Sequence, residues 1–170
     1  EDNAVTMTLE AEEVDGQTIQ FNVTGDPSNG SVTISGTTAT YTPNQDWFGT
    51  DTFNFEAVDA SSKSILNNAT GTIVVNSIND APTVDDINNI EVYNNQSVDI
   101  TLTGSDIEND NLTFEIVDSP NNGTVSISGN IATFNATSGG SDTFTYKAND
   151  GTADSNTATV TISINDNTPE

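Results

Sequence analysis

The sequence predicts an all-β chain of two tandem β-sandwiches with about seven strands each. Three observations predict it. The chain repeats itself: Val5-Thr-Met-Thr-Leu9 returns as Val98-Asp-Ile-Thr-Leu102, and Pro27-Ser-Asn-Gly-Ser-Val-Thr-Ile-Ser-Gly36 returns as Pro120-Asn-Asn-Gly-Thr-Val-Ser-Ile-Ser-Gly129. Asp51-Thr-Phe-Asn-Phe55 likewise matches Asp142-Thr-Phe-Thr-Tyr146. Within each copy apolar residues fall at every second position, the period of a half-buried strand. Asn-Gly, Ser-Gly and Pro-containing turns separate these runs, and no segment keeps a helical period.

Taken in order, the first copy supplies inward faces from Val5/Met7/Leu9, Ile19/Phe21/Val23, Val32/Ile34, Ala39/Tyr41 and Phe53/Phe55/Ala57. The second opens with a strand from Ile87 to Val92. It continues through Ile100/Leu102, Leu112/Phe114/Ile116, Val125/Ile127, Ile131/(Ala132)/Phe134, Phe144/Tyr146/Ala148 and Val160/Ile162/Ile164. Thr, Ser and Asn occupy the alternate positions. One apolar face per sheet is best buried by a second sheet, which makes each copy a sandwich.

The copies align at an offset of 93 from Leu9 to Gly36 and 91 at Asp51, then 86 at the closing Ser77-Ile-Asn-Asp80 and Ser163-Ile-Asn-Asp166. This alignment gives the first copy five more residues after Asp59, expected as a loop across Ala60–Asn68. Asn79-Asp80-Ala81-Pro82-Thr83 marks the boundary, dividing the chain into 1–81 and 82–170. Proline there stiffens a short extended linker, so the sandwiches are expected end to end.

Each copy holds about 85 residues of the 170, enough for one small core. Acidic residues number 26 against two basic ones, Lys63 and Lys147, for a net charge of −24. Such a surface repels nucleic acid and anionic membranes, and attracts cations. There is no cysteine to form a disulfide or a thiolate site. No apolar run is long enough to cross a bilayer and no signal-peptide pattern occurs, so no membrane insertion is expected. The chain opens in mid-phase of a repeat, as a segment of a longer protein would.

Asn79-Asp80-Ala81-Pro82 and Asp166-Asn167-Thr168-Pro169 resemble the Asp-x-Asn-Asp-Asn-x-Pro linker of cadherin-type repeats. With Glu1-Asp2, Glu13-Val-Asp15-Gly16, Phe48-Gly-Thr-Asp-Thr-Phe53 and Asp106-Ile-Glu108-Asn-Asp110 before Leu112-Thr-Phe114, the whole chain resembles the bacterial cadherin-like and immunoglobulin-like tandem repeats of large cell-surface adhesins. The resemblance implies Ig-like/cadherin-like Greek-key sandwiches, an extracellular or cell-surface location, and a stalk or adhesive role. The implied partners are neighbouring repeats of the same parent chain and a cell-surface glycan or protein. It also implies Ca²⁺ at the interdomain junction, held by Glu1 and Asp59 of the first unit, Asn79 and Asp80 of the linker, and Asp106, Glu108 and Asp150 of the second.

The chemistry suits those residue types, since Ca²⁺ takes six to eight oxygens at about 2.3–2.6 Å. Asn94-Asn95 replaces Glu1-Asp2 in the second copy, the first linker lacks the last Asn, and Glu108 stands where the family has Asp. These departures predict fewer or weaker ions than a complete cadherin junction. The loop is not an EF-hand, because Asn111 replaces the turn glycine and Val117 the bidentate Glu.

Trp47-Phe48 is read as a plug at the end of the first sandwich, with an exposed glycan platform as the alternative. Seven Asn-x-Ser/Thr sequons occur, as this composition alone produces. Paired carboxylates can hydrolyse glycosides. With no His, two cations and few aromatic residues, no enzyme is expected. Two other readings remain: a subunit of a surface lattice or filament, and a carbohydrate-binding module.

Overall fold

The computed structural model describes residues 1–12, 16, 18–62 and 64–166. Glu13, Val14 and Asp15 of the first acidic stretch, Lys63, and Asn167-Thr168-Pro169 of the second linker motif lie outside the described residues. The chain divides into unit 1, Glu1–Ile78, and unit 2, Asn79–Glu170.

Unit 1 contains β1 (Val5–Thr8), β2 (Ile19–Gly25), β3 (Gly30–Ser35), β4 (Thr38–Pro43), β5 (Gly49–Asp59) and β6 (Ile65–Val75). They form the antiparallel sheets β1-β4-β3 and β2-β5-β6. The chain therefore changes sheets from β1 to β2, from β2 to β3 and from β4 to β5, the crossovers of a Greek-key sandwich. Leu9, Phe21, Tyr41, Phe53 and Ile73 build the core between them.

Unit 2 contains β7 (Thr83–Val84), β8 (Ile87–Tyr93), β9 (Ser97–Thr101), β10 (Gly104–Ser105), β11 (Thr113–Asp118), β12 (Gly123–Ser128), β13 (Ile131–Ala136), β14 (Gly140–Asn149) and β15 (Ala158–Asn165). Its sheets are β9-β13-β12 and β11-β14-β15-β8, with a short β10-β7 pair. All pairings are antiparallel except β8 with β15. Phe134, Phe144, Tyr146, Val160 and Ile162 lead its core. In β13 the inward set is Ala132, Phe134 and Ala136, while Ile131 is half-buried. That parity was open in the sequence.

Strand register corrects the alignment of the closing segments. Asp51 pairs with Ile73, and Asp142 with Ile162. Ile73-Val-Val-Asn76 thus corresponds to Ile162-Ser-Ile-Asn165, an offset of 89, and the two Ser-Ile-Asn-Asp strings are out of step. Ile78 is accordingly 58% exposed, where Ile164 is 4%. The first copy has two extra residues after Asp59, not five. The expected loop across Ala60–Asn68 is shorter than that: Ala60–Ser62 form a turn, but β6 begins at Ile65, opposite Val58, and a bulge at Ala57/Val58 takes up the difference.

The turn glycines divide into two kinds. Gly36 and Gly129, at φ +60 and +63, make the tight β3–β4 and β12–β13 turns. Gly30 and Gly123 serve close approach instead. A Cβ on Gly30 would lie 2.7 Å from the Tyr41 ring, and one on Gly123 2.5 Å from the Phe134 ring. Trp47 and Phe48 do not join the core of unit 1: Trp47 lies half-buried against Gly49 and Phe48 is 36% exposed. The plug reading is thereby corrected, because strand β5 starts at Gly49 and carries the chain inward only from Asp51.

Candidate metal centre

Three segments of unit 2 converge around the residues expected to bind cations. The first is Asn79–Pro82, whose Pro82 is fully buried. The Asn156 side chain fixes the strand that follows, accepting from Val84 N at 3.0 Å and donating to Val84 O at 2.8 Å. It thereby substitutes for a strand neighbour. The β7–β10 pairing then holds Thr83 beside Ser105, directly before the second segment, Asp106–Asp110. That loop curls on itself: Asp106 Oδ1 accepts the Asp110 N–H at 2.8 Å, and Asn109 adopts φ 62. The third segment follows β14, where Asp150 Oδ1 accepts the N–H groups of Thr152 and Ala153 at 2.6 and 2.7 Å.

Cross-bonds link these segments. Asn79 Nδ2 donates to Asp150 Oδ2 at 2.9 Å, and Asp80 N donates to Glu108 Oε2 at 3.1 Å. Carboxylate oxygens of Asp80 and Glu108 lie within 4.8 Å of each other. Asp106 Oδ2 and Glu108 Oε1 are shielded from solvent and accept no hydrogen bond. Carboxylate oxygens withdrawn from water are unfavourable without a donor or a cation. Among the described residues the basic side chain is Lys147, and it is committed to Asp154 at 2.6 Å and Glu115 at 2.7 Å. Unit 2 thus brings together Asn79, Asp80, Asp106, Glu108 and Asp150.

Glu1 and Asp59 belong to unit 1. Glu1 Oε1 accepts the Ile78 N–H at 3.0 Å. Asp59 ends β5 and caps its own turn, with Oδ1 accepting from Ser61 N at 2.8 Å and Oδ2 from Ser62 N and Oγ. The Ser62 hydroxyl first, and the Ser61 N–H next, hold the Asp59 carboxyl below its usual range. Asp150 does the same job in unit 2. Its carboxyl is lowered by the Ala153 N–H first, then by Asn79 and Thr152. Both groups are ionised at neutral pH, as ligands for a hard cation must be.

Two buried acids escaped the sequence reading. Asp51 Oδ2 accepts from Asn29 N at 2.8 Å and Tyr41 OH at 3.1 Å, and Oδ1 from Ser28 N at 3.1 Å and Thr52 N at 2.9 Å. Asp142 accepts from Asn121 N, Asn122 N and Thr143 N at 3.0, 2.6 and 2.9 Å. Burial pushes the Asp51 carboxyl up, but bonds from Asn29, Thr52, Ser28 and Tyr41 outweigh it and leave it below normal. The available signal was an acid at the same inward position of the same strand in both copies. Asn156 carried no such signal in an Asn-rich chain.

The fold and the repeat together identify the class, a tandem immunoglobulin-like module. The bacterial Ig domain family matches residues 1–76 and again 79–163, so the chain belongs to that family. No curated protein sequence matches the chain. Among solved structures, human CDH23 EC21-23 is similar at 14% identity and TM-score 0.60, over 88% of this chain and 59% of that one. Human mucin-like protocadherin EC1-2 is similar at 14% identity and TM-score 0.56, over 98% of this chain and 100% of its own. An endo-fucoidan hydrolase of glycoside hydrolase family 107 aligns at 20% identity and TM-score 0.43 over 99% of this chain, which spans 27% of the hydrolase's length. The two cadherin-repeat likenesses agree with the sandwich fold. Ig- and cadherin-like domains are generally non-enzymatic structural modules and typically extracellular. No helix among the described residues is long and apolar enough to cross a membrane.

Proposed function

We propose that the chain is a stalk or adhesive segment of a cell-surface protein, made of repeats whose junction is stiffened by Ca²⁺. The observation that carries the calcium reading is the pair Asp106 Oδ2 and Glu108 Oε1, shielded and unbonded in the same loop, with Asp80 beside Glu108. A divalent ion with several oxygen ligands is the partner that chemistry fits. Asp106, Glu108 and Asp80 bind it from unit 2, with Asn79 and Asp150 positioned by their mutual hydrogen bond to assist. The linker motif supports Glu1 and Asp59 as the contribution of unit 1. Neighbouring repeats of the parent chain are the proposed partners, along with a cell-surface glycan or protein.

Bound calcium supplies charge neutralisation to a chain of net charge −24 and restrains the hinge. Differential scanning calorimetry of the full chain tests this. Millimolar Ca²⁺ is expected to raise the unfolding temperature by several degrees relative to chelator, as ligand binding to the native state requires. Superimposable scans in calcium and chelator would remove the proposal.

A further inference from the structure

The turns that lead into β3 and β12 carry the chain's two Asn-Gly pairs, Asn29-Gly30 and Asn122-Gly123. Their backbones are alike. Each asparagine donates its N–H to a buried acid, Asp51 of β5 or Asp142 of β14, and all four turn residues are half-buried. Asn44 N donates to Asn29 O at 2.8 Å, and Thr137 N to Asn122 O at 2.9 Å. Those bonds make Gly30 with Pro43, and Gly123 with Ala136, the non-hydrogen-bonded kind of antiparallel pair. The glycine N–H therefore points away from the ladder, and β3 and β12 are edge strands.

The side chains differ. Asn122 is held at both ends of its amide: Nδ2 donates to Ser141 O at 3.0 Å, and Oδ1 accepts from Ser138 Oγ at 3.2 Å. Among the described residues, Asn29 enters hydrogen bonds through its backbone alone. Counting back from Asp51 and Asp142 gives the reason, because Trp47 stands at the position of Ser138. Its indole packs against Gly49 and offers no hydroxyl to the asparagine.

From this contrast we infer that Asn29 is a site of spontaneous deamidation and isoaspartate formation, from which Asn122 is protected. The Gly30 nitrogen attacks Asn29 Cγ and closes a succinimide ring. The Cγ–Nδ2 bond breaks, and Nδ2 leaves as ammonia with the proton that Gly30 N gives up. Water then opens either carbonyl–nitrogen bond of the ring, giving aspartate or isoaspartate. Gly30 favours the attack because no side chain crowds its nitrogen. The asparagine side chain must turn over its own backbone to react. Asn29 does so freely, whereas Asn122 must first break both bonds to its amide.

The isoaspartyl product acts on the fold. Its chain runs through Cγ, and the former carbonyl of residue 29 becomes a free carboxylate. That oxygen accepts Asn44 N and the Tyr41 hydroxyl, and the same hydroxyl bonds the buried Asp51. A second negative charge beside Asp51 opposes folding of unit 1 and leaves unit 2 untouched. This chemistry needs no metal ion and stands independently of the calcium proposal.

The test is peptide mapping by mass spectrometry of the full chain, aged in mildly alkaline buffer both folded and in urea. In urea the two Asn-Gly sites are expected to deamidate at similar rates. In the folded chain Asn122 is expected to react about tenfold more slowly than Asn29, the factor that two ordinary hydrogen bonds supply. Ser138→Ala, at an exposed position, is expected to move the Asn122 rate toward that of Asn29. The isoaspartyl fraction is expected to lose its tryptophan fluorescence transition at lower urea than the unmodified chain. Equal rates at the two sites in the folded chain overturn the proposal, as does an unreactive Asn29 there when the urea sample reacts. An Asn122 rate that Ser138→Ala leaves unchanged, or an unshifted tryptophan transition in the modified fraction, also overturns it.

Discussion

Asn122 donates its backbone N–H to Asp142 Oδ2 at 2.6 Å, and Asn29 makes the same bond to Asp51 at 2.8 Å. The two most recognisable repeated strings, Pro-x-Asn-Gly and Asp-Thr-Phe, are therefore one structural device. A buried carboxylate on β5 or β14 satisfies backbone donors in the turn that precedes β3 or β12. Truncating it strands several donors in a low-dielectric interior, which is more damaging than losing one exposed bond.

Asp51→Ala is expected to destabilise unit 1, and Asp142→Ala unit 2, by about 3 kcal/mol each. Trp47 is the chain's one tryptophan and lies in unit 1, so its fluorescence reports that unit alone. In urea titrations Asp51→Ala should shift the tryptophan transition. Asp142→Ala should leave it in place and move only the second phase of the circular dichroism curve. Both variants shifting the tryptophan signal equally would show that the clamps are not local.

Gly123→Ala is expected to cost about 2–3 kcal/mol, because its Cβ would lie 2.5 Å from the Phe134 ring and 2.6 Å from Asn135 O. Gly129→Ala faces open space at φ +63 and should cost about 1 kcal/mol. Chemical denaturation of the two variants compares them directly. A larger loss at Gly129 would mean that the left-handed turn conformation constrains the sequence more than the approach of Gly123 to the Phe134 ring does.

Unit 1 should lose stability at both ends of the pH scale. Asp51 is held below its usual value by its donors, so the stability it contributes is present above about pH 4 and lost as pH falls through its folded value. Burial first, and the bond to Asp51 second, push the Tyr41 hydroxyl up to about 12. Its contribution is complete below the unfolded value near pH 10 and is lost between about pH 10 and 12. Tyr41→Phe should abolish the alkaline loss, with tryptophan fluorescence in urea as readout. An unchanged alkaline slope in that variant would assign the loss to other groups.

Chelation should loosen the hinge without unfolding either core. Small-angle scattering is expected to show a broader distance distribution in chelator than in millimolar Ca²⁺, with circular dichroism unchanged. Identical scattering in both conditions would deny calcium a mechanical role.

Most of the fold was legible because alternation and turn chemistry are local. Phe21, Tyr41, Phe53, Phe134 and Phe144 all occupy the inward positions their spacing predicts. The misreadings arose where pairing between distant segments decides. A string match of Ser-Ile-Asn-Asp carried no knowledge that Asp51 faces Ile73, and so slipped by three residues. Ala60–Asn68 was expected to be a loop because the slipped string match assigned five extra residues there, yet β6 begins at Ile65 and pairs back along β5. Asp51 and Asp142 were hidden by the rule that acids face water. That rule yields where backbone donors converge on the carboxylate. At the candidate site, the acidic loop and the linker were legible as types, but the bond between Asp80 N and Glu108 depends on the tertiary fold.

Isothermal titration of Ca²⁺ into the full chain and into the double variant Asp106→Asn/Glu108→Gln is the most direct test of calcium binding at these loops. Saturable binding by the native chain, weakened at least about tenfold in the variant, is the expected result. Heats at the dilution baseline for the native chain, or the same isotherm in both proteins, would contradict it.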